Sequence, residues 1–449
     1  MYAMQSSNKI KNIIAIIILI IAIVVGSIIY SKYNFNDFTK SVREKGKTSF
    51  SRDNKEKYSK VSSYKIENKE YNDSMFYKTI NVQPNKPYKV TCMVKTQNVK
   101  NTDDQYYGGA QIAIKDTLEC SKSVTGTTDW TELTFMFNSK NRDSIELGFR
   151  LGGYNEMSIG EAWFTDFKIE EGILDSDNNW NVACFIIKNL NITANVNNQE
   201  KKFNLKVSTG DMYDVENNLR RAQDTFRNLS QSKMTMTYDT YVIDTPLTKI
   251  SYDSENEYYI DPGDVKDLID PYLKKKEYDY IYVVARFGDL NQGNDVLVHD
   301  WIGLGSMDYY GIGYSNIRLP DSANSYLYKY SSRNTFPEEV FIHEFLHTLE
   351  RNEKEYGNTN IGALHDYEKY GYQKDSADGL KKWYGAYMQN AITNTNGTRA
   401  GLTQTIYTSK PVQKSNFKYS YELNYLDDPQ NFIEEIISII NRMKKAFKK

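Results

Sequence analysis

Apolar residues are arranged in four different ways along this chain, and each arrangement predicts a different element. Ile13 to Tyr30, IIAIIILIIAIVVGSIIY, carries no charge over eighteen residues. At about 1.5 Å per residue such a helix reaches roughly 27 Å, enough to cross a bilayer core. Lys9 and Lys11 precede it, and no Ala-x-Ala cleavage signal follows. Residues 1–30 therefore read as a short cytoplasmic tail and an uncleaved signal anchor. The expected location is the cell membrane, single-pass, with the bulk of the chain extracellular, because large domains translocate whatever their flanking charge. Residues 31–60 are polar and charged with little apolar period, as in a stalk or linker.

From 61 to 172 the period is two. MFYKTINV, YKVTCMVKT, AQIAIKD, TELTFMFN, SIELGFRLGG and GEAWFTDFKIEE alternate between turn signals. That spacing predicts an all-β antiparallel sandwich. Residues 173–180 read as a polar linker. From 181 to 449 strands and helices mix. NVACFIIKNLNI, TMTYDTYVID and YDYIYVVARFGD read as strands, and GLGSMDYYGIGYSNIRL as an exposed edge strand. Residues 214–233, PGDVKDLIDPYLKKK (interrupted at Asp270-Pro271), FPEEVFIHEFLHTLERNEKE and FIEEIISIINRMKKAFKK read as helices. The expectation is a multidomain chain: transmembrane helix, sandwich, then an α+β domain with helices on a mixed sheet.

Charge adds an exclusion. The net charge is −2, without the basic excess of a nucleic-acid binder. No GxGxxG or P-loop supports nucleotide binding. Three cysteines, Cys92, Cys120 and Cys184, form no metal-ligand spacing and suit small buried hydrophobes.

The chemistry concentrates in HEFLHTLE, His343 to Glu350. Two of only four histidines lie there, four apart. Positions i and i+4 of a helix are about 40° apart on one face, so both imidazoles can aim at one metal ion. Glu344 is rotated by about 100° from His343 and can reach a water at that ion. Pro337 suits the first turn, with Glu338 and Glu339 at the positive helix end.

Two resemblances follow from these residues. HExxH resembles the zincin superfamily of zinc metallopeptidases. That implies one catalytic Zn²⁺ on His343 and His347, Glu344 as general base, and an extended substrate along the edge strand. The metzincin branch reads HExxHxxGxxH, and here Glu350 and Glu353 stand at the glycine and third-histidine positions. The helix then continues to Gly357-Asn358, and the third ligand is sought in NIGALHDYEKYGY. His365 is the favoured candidate, with Asp366, Glu368 and Glu353 as alternatives. Glu350, three residues after His347, can instead hold an imidazole N–H. Tyr370, Tyr372 and Tyr387 are candidates for stabilising the oxyanion. Met388 resembles the methionine turn of metzincins, with a helix-core role as the alternative. His299 reads as a surface or core histidine.

The second resemblance lies in the period-two region. Gly160 to Glu171, GEAWFTDFKIEE, resembles the last strand of carbohydrate-binding jelly rolls, which reads like GTAWFDDVKLE. Trp130 and Trp163 are the candidates for stacking on a sugar, each with a structural alternative. A structural Ca²⁺ in the jelly roll would need a ligand pattern that the sequence does not show. Together the residues point to a membrane-anchored cell-surface zinc metalloendopeptidase whose jelly roll holds glycan, cell wall or glycoprotein. The alternatives are a carbohydrate-binding adhesin with an inactive zincin domain, or a zinc amidase acting on cell-wall peptides.

Overall fold

The computed structural model describes residues 38–422, except 59–60, 103–107, 155, 174–176, 289–295, 320–334, 359, 374–375, 394–396 and 409–415. The expected membrane segment at 13–30 and the expected C-terminal helix lie outside the described residues. Among those described, no helix is long and apolar enough to cross a membrane.

Two sheets form the N-terminal sandwich. Strands β1 (Thr39–Val42), β2 (Thr48–Tyr58), β3 (Val61–Asn72), β4 (Ser74–Asn81), β5 (Pro87–Asn101), β6 (Ala110–Ile114), β7 (Gly126–Asn138), β8 (Ser144–Leu151) and β9 (Ser158–Ile173) divide between them. One sheet runs β1-β4-β8-β6 and the other β2-β3-β9-β5-β7. The period of two carries the packing. Along β5, Tyr88, Val90, Cys92 and Val94 are buried, while the residues between them face outward. Phe76, Phe149 and Phe164 join them in the core, Phe149 stacked on Phe164 at 5.0 Å between centroids.

The polar stretch expected as a stalk is different in the structure. From Thr39 to Tyr58 it supplies β1 and β2. Phe38 packs edge-on to Tyr64 at 4.9 Å, and Phe50 to Phe76 at 4.7 Å. One packed aromatic at each strand is enough to seat an edge strand whose outer face meets water, and such a strand looks like linker in a hydropathy pattern.

The mixed α/β unit follows: β10 (Asn179–Ile187), β11 (Asn189–Val196), β12 (Gln199–Lys206), helix α1 (Thr209–Leu229), β13 (Thr235–Ile243), the short β14 (Ser251–Asp253) and β15 (Glu257–Tyr259), α2 (Pro262–Leu273), β16 (Tyr280–Arg286), β17 (Gly303–Tyr309), β18 (Ile312–Leu319), α3 (Glu339–Glu355), α4 (Ala377–Met388), and β19 (Ile392–Thr393) paired with β20 (Arg399–Ala400). Its main sheet has the order β13-β10-β16-β18-β17, parallel throughout except for the last pair. The central strands are buried on both faces. Val182, Cys184, Tyr280 and Tyr282 face α1, α3 and α4, while Ala183, Phe185, Ile281 and Val283 face α2 and the β11–β12 hairpin.

Two expectations change here, and one pairing is new. GLGSMDYYGIGYSNIRL is not one edge strand but a hairpin, with β17 at the edge and β18 inside, parallel to β16. Polar letters in β18 hid this, because Asn316 is fully paired with the Ile260 backbone at 2.9 Å each way. Helix α2 also runs through Pro271 instead of breaking there. Finally, β21 (Asn416–Glu422) pairs antiparallel with β9, so the chain returns from the α/β unit to the sandwich.

Phe345 seats α3, its ring 4.4 Å from Tyr280, 5.0 Å from Phe226 and 5.1 Å from Trp180. Phe345→Ala is expected to cost about 3–5 kcal/mol of folding stability. Urea denaturation reads this directly, and a loss under about 1 kcal/mol would show that this ring does not seat the helix.

Candidate metal centre

Helix α3 supplies two nitrogens and a loop supplies the third. His343 and His347 stand one turn apart, with their Nε2 atoms 3.1 Å from each other. The helix stops at Gly357, which takes φ +88°, and the Asn358 N–H closes on the Glu353 carbonyl at 3.0 Å. The chain then folds back. Ile361 and Leu364 are buried, the Trp383 indole N–H donates to the Leu364 carbonyl at 2.8 Å, and the Tyr387 hydroxyl donates to the Gly362 carbonyl at 3.3 Å. With its approach anchored, His365 places Nε2 at 2.9 Å from that of His343 and 3.1 Å from that of His347.

The far sides of two rings are also held. His347 Nδ1 faces Glu350 Oε2 at 3.3 Å, and Glu350 Oε1 accepts from Lys354 at 2.7 Å. His343 Nδ1 meets the Tyr384 hydroxyl at 2.9 Å. An ionised carboxylate only accepts, so His347 carries a proton on Nδ1, and its neutral tautomer then presents a bare lone pair at Nε2. Tyr384 donates its one proton to Glu339 at 2.5 Å, so it accepts from His343 Nδ1–H, and His343 Nε2 is bare too. Two bare lone pairs 3.1 Å apart repel unless a cation lies between them. A proton is a poor choice. Burial, then the neighbouring His347 and His365, hold His343 well below the usual imidazole range. Burial, then His347, lower His365. Three converging imidazole nitrogens could hold a metal ion, and among the described residues this is the only such cluster of three.

Glu344, the next residue round the helix from His343, lies under β17. It is 5% exposed and accepts from the Gly305 N–H. A Cβ on Gly305 would come within 2.7 Å of the Glu344 carbonyl and 2.8 Å of its carboxylate, and one on Gly303 would collide with the same carboxylate. These two glycines let the strand lie directly on the acid. Burial, then Glu339, hold the Glu344 carboxyl well above the usual range, opposed by the Gly305 N–H.

The remaining candidates lie elsewhere. Glu353 is buried and accepts from the Thr403 hydroxyl at 2.5 Å and from its N–H, fixing that loop, not an ion. Asp366 pairs with Lys369 at 3.2 Å, and Glu368 opens an exposed 3-10 turn. Tyr370 and Tyr372 pack on Trp383 at 5.8 and 5.2 Å, and Tyr387 is committed to Gly362. Met388 ends α4 within the apolar core, as an ordinary helix residue does. His299 is exposed and pairs with Glu257 at 3.0 Å. Glu339 and Tyr384 were not singled out as partners of the site by the sequence. Glu339 had a signal, one turn before His343 on the same helix face. Tyr384 had none, being one tyrosine among 37.

In the sandwich, Trp163 is buried, 4% exposed. Its indole N–H donates to Asp53 at 3.0 Å, and Lys65 sits 4.9 Å over its ring. Trp130 is half-buried beside Tyr58, 5.9 Å between centroids. The three cysteines are free and buried.

No protein-family model matches the chain, and no curated protein matches it. Among solved structures it is similar to several carbohydrate-binding modules. The CBM22-1 xylan-binding domain of Paenibacillus barcinonensis Xyn10C shares 12% identity over 31% of this chain and 91% of that one, with a TM-score of 0.21. TmCBM61, solved with β-1,4-galactotriose, shares 11% over 31% and 92%, with a TM-score of 0.21. The family 11 module of Clostridium thermocellum, solved with a mixed-linked tetrasaccharide, shares 12% over 30% and 90%, with a TM-score of 0.18. Likeness at this level assigns neither a ligand nor a binding residue to this chain.

If the three imidazoles hold Zn²⁺, the lowered His343 and His365 values bear on its pH dependence. These two imidazoles stay neutral below the ordinary value of 6.5, so protons compete with Zn²⁺ for them, and lower its affinity, only in more acid solution. Competition with a chelator across pH checks this, and an affinity that already declines from pH 8 downward contradicts it.

Proposed function

We propose that the α/β unit is a zinc-dependent peptidase, held at the cell surface by the apolar segment at 13–30, with the sandwich attaching it to glycan. The observation that carries the reading is the convergence of three Nε2 atoms within 3.1 Å, beside a buried glutamate beneath an edge strand. His343, His347 and His365 would hold the ion. A Zn²⁺ bound there supplies Lewis acidity, which acidifies water and polarises a carbonyl. Glu344 takes the proton of the attacking water and passes it to the leaving amine. A raised carboxyl suits that task, since it must release the proton as readily as it accepts it.

Substrate alignment comes from β17. It ends the sheet order, so among the described residues its outer edge carries no partner strand. An extended peptide can add to such an edge by main-chain hydrogen bonds, which favours a peptide over a compact substrate. The register shift between Leu304 and Met307 bends the strand where it passes Glu344. A zinc amidase on cell-wall peptides would use the same residues and differs only in substrate.

Glu344→Gln is expected to lower kcat/KM on a peptide library by about 10²–10⁴-fold while Zn²⁺ remains bound. Hydrolysis at the wild-type rate in that variant, with metal content verified, removes Glu344 as the base.

A second reading, an adhesin with an inactive α/β unit, has support in the sandwich. Trp130 shares one face of β7 with Glu132 and Thr134, which line a groove of about 390 Å³ with Lys89, Thr91 and Lys168. A half-buried indole beside such polar groups suits stacking on a sugar ring. Trp130→Ala should weaken retention on xylan or β-glucan columns at least tenfold if the sandwich binds through this face. Glycan binding by a wild-type protein that takes up no Zn²⁺ would favour the adhesin.

A further inference from the structure

We infer that Glu339, acting through the Tyr384 hydroxyl, is the positioning group for His343, and that this relay and the Glu350–His347 pair independently set the metal affinity of the centre. The inference deepens the metal reading and rests on it. Glu339 and His343 stand one turn apart on α3, with Oε1 and Nδ1 separated by 3.8 Å. That is too long for a hydrogen bond. The Tyr384 hydroxyl from α4 bridges the gap, 2.9 Å from Nδ1 and 2.5 Å from Oε1. Glu339 can only accept, so the direction of both bonds is fixed: Nδ1–H to the hydroxyl, hydroxyl to the carboxylate.

Two consequences follow. The hydroxyl oxygen, polarised by the carboxylate behind it, strengthens the Nδ1 bond and raises the donor strength of Nε2. The ring plane of His343 is also set by α4, a different element from the one that carries it. The Tyr384 ring is buried and meets Phe336 edge-on at 6.3 Å, so the hydroxyl has little freedom to follow a turning imidazole. Tyr384 faces the back of His343, on Nδ1, which separates it from the converging Nε2 atoms. It is therefore a positioning residue and not an oxyanion donor. His347 has a different arrangement, in which Glu350 meets Nδ1 directly and is itself held by Lys354. The two supports share no residue.

The test is a double-mutant cycle on Zn²⁺ affinity in the purified full chain, read by chelator competition. Tyr384→Phe should weaken binding by about 10–100-fold, and Glu339→Gln by about tenfold. Tyr384→Phe combined with Glu339→Gln should be no weaker than Tyr384→Phe alone, because one path is cut twice. Tyr384→Phe combined with Glu350→Gln should multiply the two losses. The melting temperature of each metal-free variant, expected near wild type, separates a fold defect from a ligand effect. Should Glu339→Gln fail to fold, the Tyr384→Phe and Glu350→Gln arms decide alone. Affinities within twofold of wild type for Tyr384→Phe, or losses that multiply along the Glu339–Tyr384 path, overturn the relay. A wild-type chain that takes up no Zn²⁺ overturns the metal reading, and the relay with it.

Discussion

The packing of Phe345 between Trp180, Phe226 and Tyr280 governs the rest of this structure. It fixes the rotation of α3 about its own axis. With Phe345 pointed at the sheet, His343 and His347 must face away from it, one turn apart on a shared face. Tyr280 and Tyr282 reinforce the seat by donating from the sheet to the Glu344 and Phe341 carbonyls at 3.0 and 2.5 Å. Glu344, next to Phe345, is thereby turned toward β17, and only strand positions without a Cβ fit over it. Rotation of the helix by a fraction of a turn would lose the imidazole pair and the glutamate together.

Acidic residues surround the histidines, and their individual surroundings assign them different work. Glu350 and Lys354 form a pair along the helix that fixes one imidazole, and Glu339 reaches the other through a phenol. Glu353, one turn after Leu349, is turned into the protein and satisfies the Thr403 backbone and side chain. A buried carboxylate of that kind is expensive to leave unpaired, and its donors belong to the loop after β20. The sequence offered Glu353 as a possible third ligand and Glu350 as an imidazole partner, and did not single out Glu339; the donors each one meets separate them.

The sandwich and the α/β unit are connected more than once. The backbone passes from β9 to β10 and returns through β21 to the same strand. Lys122 pairs with Asp270 at 2.7 Å, and Lys140 with Glu355 at the end of α3 at 2.6 Å. Partly exposed pairs of this type contribute about 0–1 kcal/mol each, so the covalent path and the added strand matter more than the charges.

Much of this was already written in the amino-acid order. The alternation at 74–81 and 87–101 dictated sandwich strands, because one face had to meet a core and the other water. The spacing of His343 and His347 dictated a shared helix face, and Gly357-Asn358 dictated where the helix stopped, since few residues take a positive φ. Local periodicity and backbone sterics suffice for these. They do not suffice where a residue's role depends on what is brought to it from far along the chain. Thr48–Tyr58 reads as linker until Phe76 is placed beside Phe50, and Ile312–Leu319 reads as an edge until Ile260 pairs with Asn316. Tyr384 lies 41 residues from His343 and carries no local mark of its partnership. Its meaning, and the position of His365 beside the other two histidines, arise only when Leu364 and Trp383 close the loop onto the core.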